Sequence, residues 1–329
     1  MSVVVADVGG TNCRFAIASW ERGALTLTGF HTYASASQPA LEPLLFDYLE
    51  RTGATVTAAA LAVAGPVEAG VCTATNLPWR VDEAAVGAAL AARGIAATVR
   101  VLNDFEAVAW GVREVPAELR HTLQVGRHEP SGAIAVLGAG TGLGEALAVP
   151  LGTGLRVMPT EGGHGDLAPR DAFEDGLLAL LRQRFPDHVS YERVLSGPGL
   201  AVLFEHVLAW EPAARTASHD AILGADDPAR EIVARHTVDP VCGRTVEAFV
   251  DLLGAEAGNL ALKSIPTGGL YVAGGIAPRV LGVVEQRLVP AFLAKGRMRK
   301  VLERIPVHVV LDGHVGLRGA AVHARARRG

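Results

Sequence analysis

Lysine is almost absent from this chain. Of 329 residues only Lys263, Lys295 and Lys300 carry an ε-ammonium group. Lys263-Ser264 follows Leu262 and not a glycine. The phosphate loop that ends in Gly-Lys-Ser/Thr, and needs its lysine on the phosphates, is therefore excluded. Any phosphate bound here is held chiefly by backbone N–H groups. Cysteine is scarce as well: Cys13, Cys72 and Cys242 are odd in number, far apart and without metal-ligand spacing. That suits a reducing cytosol better than a disulfide scaffold. Positive charge is not in excess, with 30 basic against 34 acidic residues and a net charge of −4. No basic footprint for nucleic acid results, and there is no acidic tail. The uncharged apolar stretch 53–67 is broken by Gly65-Pro66 and is too short to span a bilayer, so no membrane association is expected. The start, Met1-Ser2-Val3, has no basic segment and leads straight into strand residues, so no signal peptide is expected and the location expected is cytoplasmic.

Half of the residues are hydrophobic, ample for large cores, and the length suggests about two domains. The first apolar run, Val3-Val4-Val5-Ala6, meets Asp7-Val8-Gly9-Gly10-Thr11-Asn12 and resumes at Phe15-Ala16-Ile17-Ala18. This reads as strand, tight glycine turn, strand. Glycines let backbone N–H groups face an anion without Cβ interference. Asp7 would point into the same crevice. Fixed donors plus one carboxylate suit a nucleotide phosphate and its Mg²⁺, which prefers carboxylate, water and phosphate oxygens. The alternative is an ordinary hairpin with Asp7 as a turn residue.

The pattern returns. Ala133-Ile134-Ala135-Val136-Leu137 leads into Gly138-Ala139-Gly140-Thr141-Gly142-Leu143-Gly144, and an apolar run follows from Ala146. An offset of 130 residues sets Thr11 on Thr141 and Asp7 on Leu137. This predicts a duplicated α/β unit in which only the first copy keeps the acid. A dinucleotide-binding reading fails, because its glycine fingerprint must open a helix and both turns here precede strand-like runs.

Between the turns, 40–51 has helical spacing, with Leu41, Leu44, Leu45, Tyr48 and Leu49 on one face. Residues 58–64 form a buried strand, 75–79 a loop, and Asp82 caps an alanine-rich helix that stops at Gly94. Residues 98–102 form a strand that delivers Asn103-Asp104 to a helical run, 105–110. The crossing to a second lobe is placed at 111–116. Beyond it come a helix at 173–184, a solvated helix–loop stretch at 210–240 and a long helix whose face runs from Val246 to Ala261. A third strand–glycine turn follows at 270–278, then a last strand at 307–311 and a helix at 317–327 that packs back on the first lobe. The division expected is 1–111 with 312–329, and 112–311.

Four places carry candidate chemistry. Asp104 fits a general base that accepts the proton of a substrate hydroxyl as its oxygen attacks a γ-phosphorus, with Asn103 orienting that substrate. Asn103 and Glu106 also have capping-box spacing, a purely structural alternative. Glu161-Gly162-Gly163-His164 offers a carboxylate and an imidazole on a tight loop, suited to neighbouring hydroxyls, with Glu192 as a second carboxylate. A polar glycine loop and a solvated helix residue are their bland alternatives. Gly138, Gly140, Thr141 and Gly142 suit close approach of phosphate, and Gly274-Gly275 would let a flat base lie on backbone or simply open a helix. No Cys or second His stands at zinc-ligand spacing near His164.

Six motifs, in this order, resemble the bacterial glucokinases of the enterobacterial type, within the sugar-kinase, actin and heat-shock-chaperone ATPase superfamily. They are Asp7-Val-Gly-Gly-Thr-Asn12, Asn103-Asp-Phe105, Gly138-Ala-Gly-Thr-Gly-Leu-Gly144, Glu161-Gly-Gly-His164, Glu192-Arg-Val-Leu-Ser-Gly-Pro-Gly199 and Val272-Ala-Gly-Gly-Ile276. The resemblance implies two ribonuclease-H-like lobes of the actin-like ATPase fold flanking a central cleft. It implies transfer of the γ-phosphoryl of ATP to the glucose 6-hydroxyl, sugar contacts from Asn103, Asp104, Glu161, His164 and Glu192, and commonly a homodimer. Nucleotide contacts fall to Asp7 (also toward Mg²⁺ through water), Gly9, Gly10, Thr11, Asn12, the second glycine turn and Gly274-Gly275. The related ROK kinases carry a Cys-rich zinc motif, and no Cys lies between Cys72 and Cys242. Glu145 departs from the expected apolar residue. Beside a phosphate turn it would repel nucleotide unless it points away, and it is read as strand-facing. Two other readings stay open: a kinase for another hexose such as mannose or N-acetylglucosamine, and a non-catalytic sugar-sensing regulator. The second would need a DNA-binding module, for which the first strand at Val3 leaves no room.

Overall fold

Apolar β-formers in unbroken runs make central strands, and two such strands seed two sheets. The computed structural model describes residues 2–75, 77–152 and 154–326. The chain divides into a first unit (1–119, 150–159 and 312–329) and a second (120–149 and 160–311).

In the first unit the strands are β1 (Ser2–Val8), β2 (Asn12–Glu21), β3 (Ala24–Ala34), β4 (Ala58–Val63), β5 (Val67–Glu68), β6 (Val71–Thr73), β7 (Arg80–Asp82) and β8 (Thr98–Asn103). The main sheet runs β3-β2-β1-β4-β8, and β5-β6-β7 form a small sheet of their own. β1 is antiparallel to β2 and parallel to β4, which is parallel to β8. All six residues of β4 are buried, as a central parallel strand covered on both faces requires. Helices α1 (Leu41–Thr52), α2 (Glu83–Ala91) and α3 (Asp104–Gly111) follow their strands. The predicted α1 face is buried, and Tyr48 stacks on Phe15 at 5.0 Å between ring centres. Asp82 accepts from Ala84 N–H and Ala85 N–H, capping α2 as expected. The other sheet face is covered by the C-terminal helix, Val315–Ala326, whose Leu317, Ala320, Ala321 and Ala324 join Val3, Val5, Ala60 and Trp110 in one cluster.

The second unit has β9 (Arg120–Gln124), β10 (Ile134–Ala139), β11 (Leu143–Leu151), β12 (Gly154–Thr160), β13 (Gly269–Ala273) and β14 (Val307–Val310), in the order β12-β11-β10-β13-β14-β9. Its helices are α4 (Ala172–Arg184), α5 (Gly197–Trp210), α6 (Ala217–Leu223), α7 (Pro228–Arg235), α8 (Pro240–Ser264), α9 (Leu281–Leu293) and α10 (Arg299–Leu302). Five of its strands repeat the first sheet in order and sense: β10 is antiparallel to β11 and parallel to β13, which is parallel to β14. The duplication read from the glycine turns is thus a duplication of topology.

Three differences from expectation have physical causes. The first unit runs on to Leu119, past the expected crossing at 111–116, because residues 112–114 still pack on the C-terminal helix. The outer end of the β11–β12 hairpin also groups with it, through Leu155 and Val157 on the same apolar cluster. Residues 210–240 are not simply solvated, since α6 and α7 bury His219, Ile222 and Ile232. Within the loop read at 75–79, Asn76 lies outside the described residues, as does Arg327 at the end of the last helix. Among the described residues no helix is long and apolar enough to cross a membrane.

Candidate active site

The candidate residues fall into two groups, one in each unit. In the first, the parallel strands β1, β4 and β8 end at one edge of the sheet. β1 delivers Asp7 there, β8 delivers Asn103, and α3 opens on Asp104. Asp7 stands opposite Arg14 in the β1–β2 ladder, with Arg14 Nη1 3.6 Å from Asp7 Oδ2. Burial pushes the Asp7 carboxyl up to about 6; Arg14 opposes the shift and the charge of Asp104 adds to it. A desolvated acid beside a second acid is a site that a divalent cation would neutralise, so the residues present fit Mg²⁺. Arg14 was not singled out from the sequence, although hairpin register would have placed it.

The first turn spends part of its own hydrogen bonding. Gly9 N–H donates to Asn12 O at 2.9 Å, Ser35 Oγ–H donates to Gly9 O at 2.7 Å, and Ser35 N–H donates to Thr11 O at 2.9 Å. The Gly9 donor is therefore not free for an anion in this state, while Gly10 is half-buried and Thr11 and Asn12 are exposed. Asn103 does serve as a cap: Oδ1 accepts from Phe105 N–H (2.9 Å) and Glu106 N–H (3.0 Å), and Nδ2 donates to Gly65 O at 3.0 Å. One Nδ2 hydrogen lies outside those bonds. Asp104 is half-buried in the first turn of α3, where the helix dipole favours negative charge, and its Oδ1 accepts from Phe105 N–H at 2.8 Å.

In the second unit the β10–β11 turn closes with Gly140 N–H donating to Gly142 O, and Gly197 N–H at the start of α5 donates to Gly140 O, both at 2.8 Å. Gly138 pairs with Gly144 in the ladder and Thr141 is exposed. No atom other than those of Gly140 and its chain neighbours lies within 4 Å of where a Cβ on Gly140 would stand, so the turn is open on that side. Gly142 lies on the Glu192 side chain, and Leu143 N–H donates to Glu192 Oε2 at 3.0 Å. Glu192 Oε1 is 3.9 Å from His164 Nε2. Glu161 opens the short turn Gly162–His164 and is exposed, and its carbonyl accepts from His164 N–H at 3.0 Å. A Cβ on Gly163 would overlap the Leu143 carbonyl. The first residues of β11 thus support Glu192 and the Glu161–His164 turn together. Gly274 has a φ of +90° and packs against the Ala139 carbonyl, so close backbone approach accounts for it, whereas Gly275 faces open space.

Glu145, read as strand-facing, lies in β11 with its side chain buried. It is 3% exposed, inside the second unit, beside Glu256 of α8 at 2%. Desolvation, and then the neighbouring Glu256 charge, push its carboxyl well above the usual range. Glu256 carries no sequence signal, since one acid on a long helix reads as solvated.

The glucokinase family model matches residues 4–327. A glucokinase of Synechocystis sp. is 37% identical over 351 residues, covering 98% of this chain and 98% of that one. The crystal structure of a glucokinase from an Antarctic psychrotroph superposes with a TM-score of 0.83 at 33% identity, covering 100% of this chain and 99% of that one. A ROK-family glucokinase from Streptomyces griseus, in complex with glucose and AMPPNP, shares the fold at a TM-score of 0.67 and 21% identity, covering all of both chains. The repeated sheet is that of the actin-like ATPase fold. Matched over nearly its whole length, by sequence and by fold, this chain is a member of the glucokinase family.

Proposed function

We propose that this protein is an ATP-dependent glucokinase, transferring the γ-phosphoryl group of ATP to the 6-hydroxyl of glucose. The observation that carries the reading is the full-length family match joined to Asp104, which follows the Asn103 cap at the sheet edge to which β1 also delivers Asp7. Asp104 accepts the proton of the 6-hydroxyl as that oxygen attacks phosphorus. The remaining Asn103 N–H, Glu161, His164 and Glu192 take the other hydroxyls, since carboxylates accept and imidazole both donates and accepts. The open turn at Gly140–Gly142, with Thr141, takes phosphate oxygens, as does the first turn around Gly10–Asn12, and Gly274-Gly275 border the base. Bound to the phosphates, Mg²⁺ would neutralise charge that builds on the phosphoryl oxygens, and Asp7 is the residue that would hold it through water. The reading includes a cytoplasmic enzyme acting as a homodimer.

A site built on buried hydrogen bonds discriminates strongly against a missing or inverted hydroxyl. Initial rates with ATP and Mg²⁺ should therefore favour glucose over mannose and N-acetylglucosamine at equal concentration. Asp104→Asn should lower kcat by about a hundredfold or more while glucose still binds, the scale of a lost general base. Faster turnover of another hexose would move the assignment to that sugar. Absence of ADP release with every sugar, together with a DNA gel shift, would favour the regulator.

A further inference from the structure

Glu145 and Glu256 are two acids buried against each other with no solvent to separate their charges. Glu145 Oε1 has no hydrogen-bond donor among the described residues. Glu256 is better supplied. Asn259 Nδ2 donates to its Oε2 at 2.8 Å and to Tyr191 Oη at 3.2 Å, and Asn259 Oδ1 accepts from Lys295 Nζ. The charged groups that face the pair are few. Lys263 of α8 acts on both acids and Lys295, beyond α9, on Glu256. Arg170 is taken up by Glu174, and the two reach the network only through Lys295 and Tyr191. Two like charges in contact in a low-dielectric interior do not both persist, so one proton stays on the pair. Glu256, with the amide and the lysines, is the member that keeps its charge. Glu145, whose Oε1 lacks a donor, is the member that gains from a proton, because a protonated Glu145 can donate to Glu256.

The same carboxyl carries the sugar loop. A side-chain carbon on Gly162 would overlap the Glu145 carboxylate, so loop backbone rests directly on it. Thr160 Oγ–H donates to Glu145 O at 3.0 Å, and Gly162 N–H donates to Thr160 Oγ1 at 3.2 Å. We propose that Glu145, carrying a proton shared with Glu256, is a positioning residue that sets the height of the Glu161–His164 loop for sugar binding. The inference rests on the reading above that Glu161 and His164 contact the sugar. Losing the proton sets a second charge beside Glu256. The Gly162 backbone lies against the Glu145 carboxylate, so a shift of that carboxylate to relieve the repulsion is passed to the loop. Glucose affinity is then coupled to the proton on Glu145, while the phosphate turn has a further tie that Glu145 does not touch, from Gly197 N–H to Gly140 O.

The test is the pH dependence of KM for glucose and, as control, for ATP, from about pH 7 to about pH 9.5, above the range where Asp7 takes up a proton, in wild type, Glu145→Gln and Glu145→Ala. Wild-type KM for glucose should rise with pH, by at most about tenfold per pH unit for a single proton, while KM for ATP holds. Glu145→Gln keeps shape and a donor toward Glu256 but cannot ionise. It should match wild type within about twofold at neutral pH and stay flat above it. Glu145→Ala, with no support beneath Gly162, should have a raised KM for glucose at every pH. If Glu145→Gln does not fold, Glu256→Gln serves in its place, because removing the neighbouring charge should move the rise to lower pH. A wild-type KM for glucose that ignores pH would overturn the proposal, as would a rise that persists unchanged in Glu145→Gln. A wild type that releases no ADP with glucose at neutral pH would instead overturn the kinase reading, and this inference with it.

Discussion

Asp7 lies at the end of an apolar strand, and its neighbours decide its charge. A carboxyl raised to about 6 is protonated below that pH and is then no ligand for a cation. kcat/KM for ATP with Mg²⁺ is expected to fall as pH drops through about 6 and to level off above it, since this ratio reports groups of the free enzyme. Asp7→Asn should abolish that acid limb at a far lower plateau, and a limb that survives the substitution would assign it to another group. Linkage has its own sign. Folded Asp7 binds its proton more tightly than the unfolded chain does, so it favours the fold at low pH, and that contribution fades as pH rises through about 6. Asp7, Asn103 and Asp104 stood out as candidates because each lies where an apolar strand stops, a place that a turn residue or a helix cap also takes. That Asn103 is also a cap was legible from its spacing to Glu106. Glu145 was visible only as a misfit, since what gives it meaning is Glu256, far along the chain and brought beside it by folding.

At the scale of elements, the helix that opens on Asp104 is positioned by the one that ends the chain. Gly111 of α3 and Gly319 of the C-terminal helix lie where the two backbones approach so closely that a Cβ on either would overlap the other helix. Gly319→Ala must push the helices apart or strain them, at a cost of about 1–3 kcal/mol, the range for overpacking. Thermal unfolding should show a Tm lower by several degrees, and kcat should fall because α3 carries Asp104. A variant with unaltered Tm and kcat would show that the crossing does not position that residue. From sequence alone, glycines inside helical patterns read as weak points, because their use is defined only by a partner helix. Long periodic segments such as α1 and α8 were legible on their own. The short helices α6 and α7 were not, since each buries too few apolar residues to set a period. β3 and β12, whose side chains alternate between half-buried and exposed, likewise lacked the unbroken apolar run that marks β1, β4 and β10.

Over the whole molecule, the two sheets share order and sense, and the repeated glycine turns made that much of the fold readable. The returns of the chain to the first unit, at 150–159 and again from 312, were less so, because they depend on which surface a late segment covers. Residues 315–326 complete an apolar cluster begun by Val3 and Val5. A chain stopped after Leu311 should therefore leave β1 and β4 without their cover. Hydrogen exchange on such a chain is expected to show fast amide exchange in β1 and β4, with β10 and β13 still protected. Full protection of β1 in the shortened chain would contradict this.

That last helix also begins beside the acid of the first strand, since a Cβ on Gly316 would lie 3.9 Å from the Asp7 carboxyl carbon. A ribosome thus makes β1 long before the helix that seats it, and the first sheet waits for its cover until residues 315–326 have been made. A chain cut before that helix leaves the carboxyl of Asp7 without the backbone that Gly316 sets beside it.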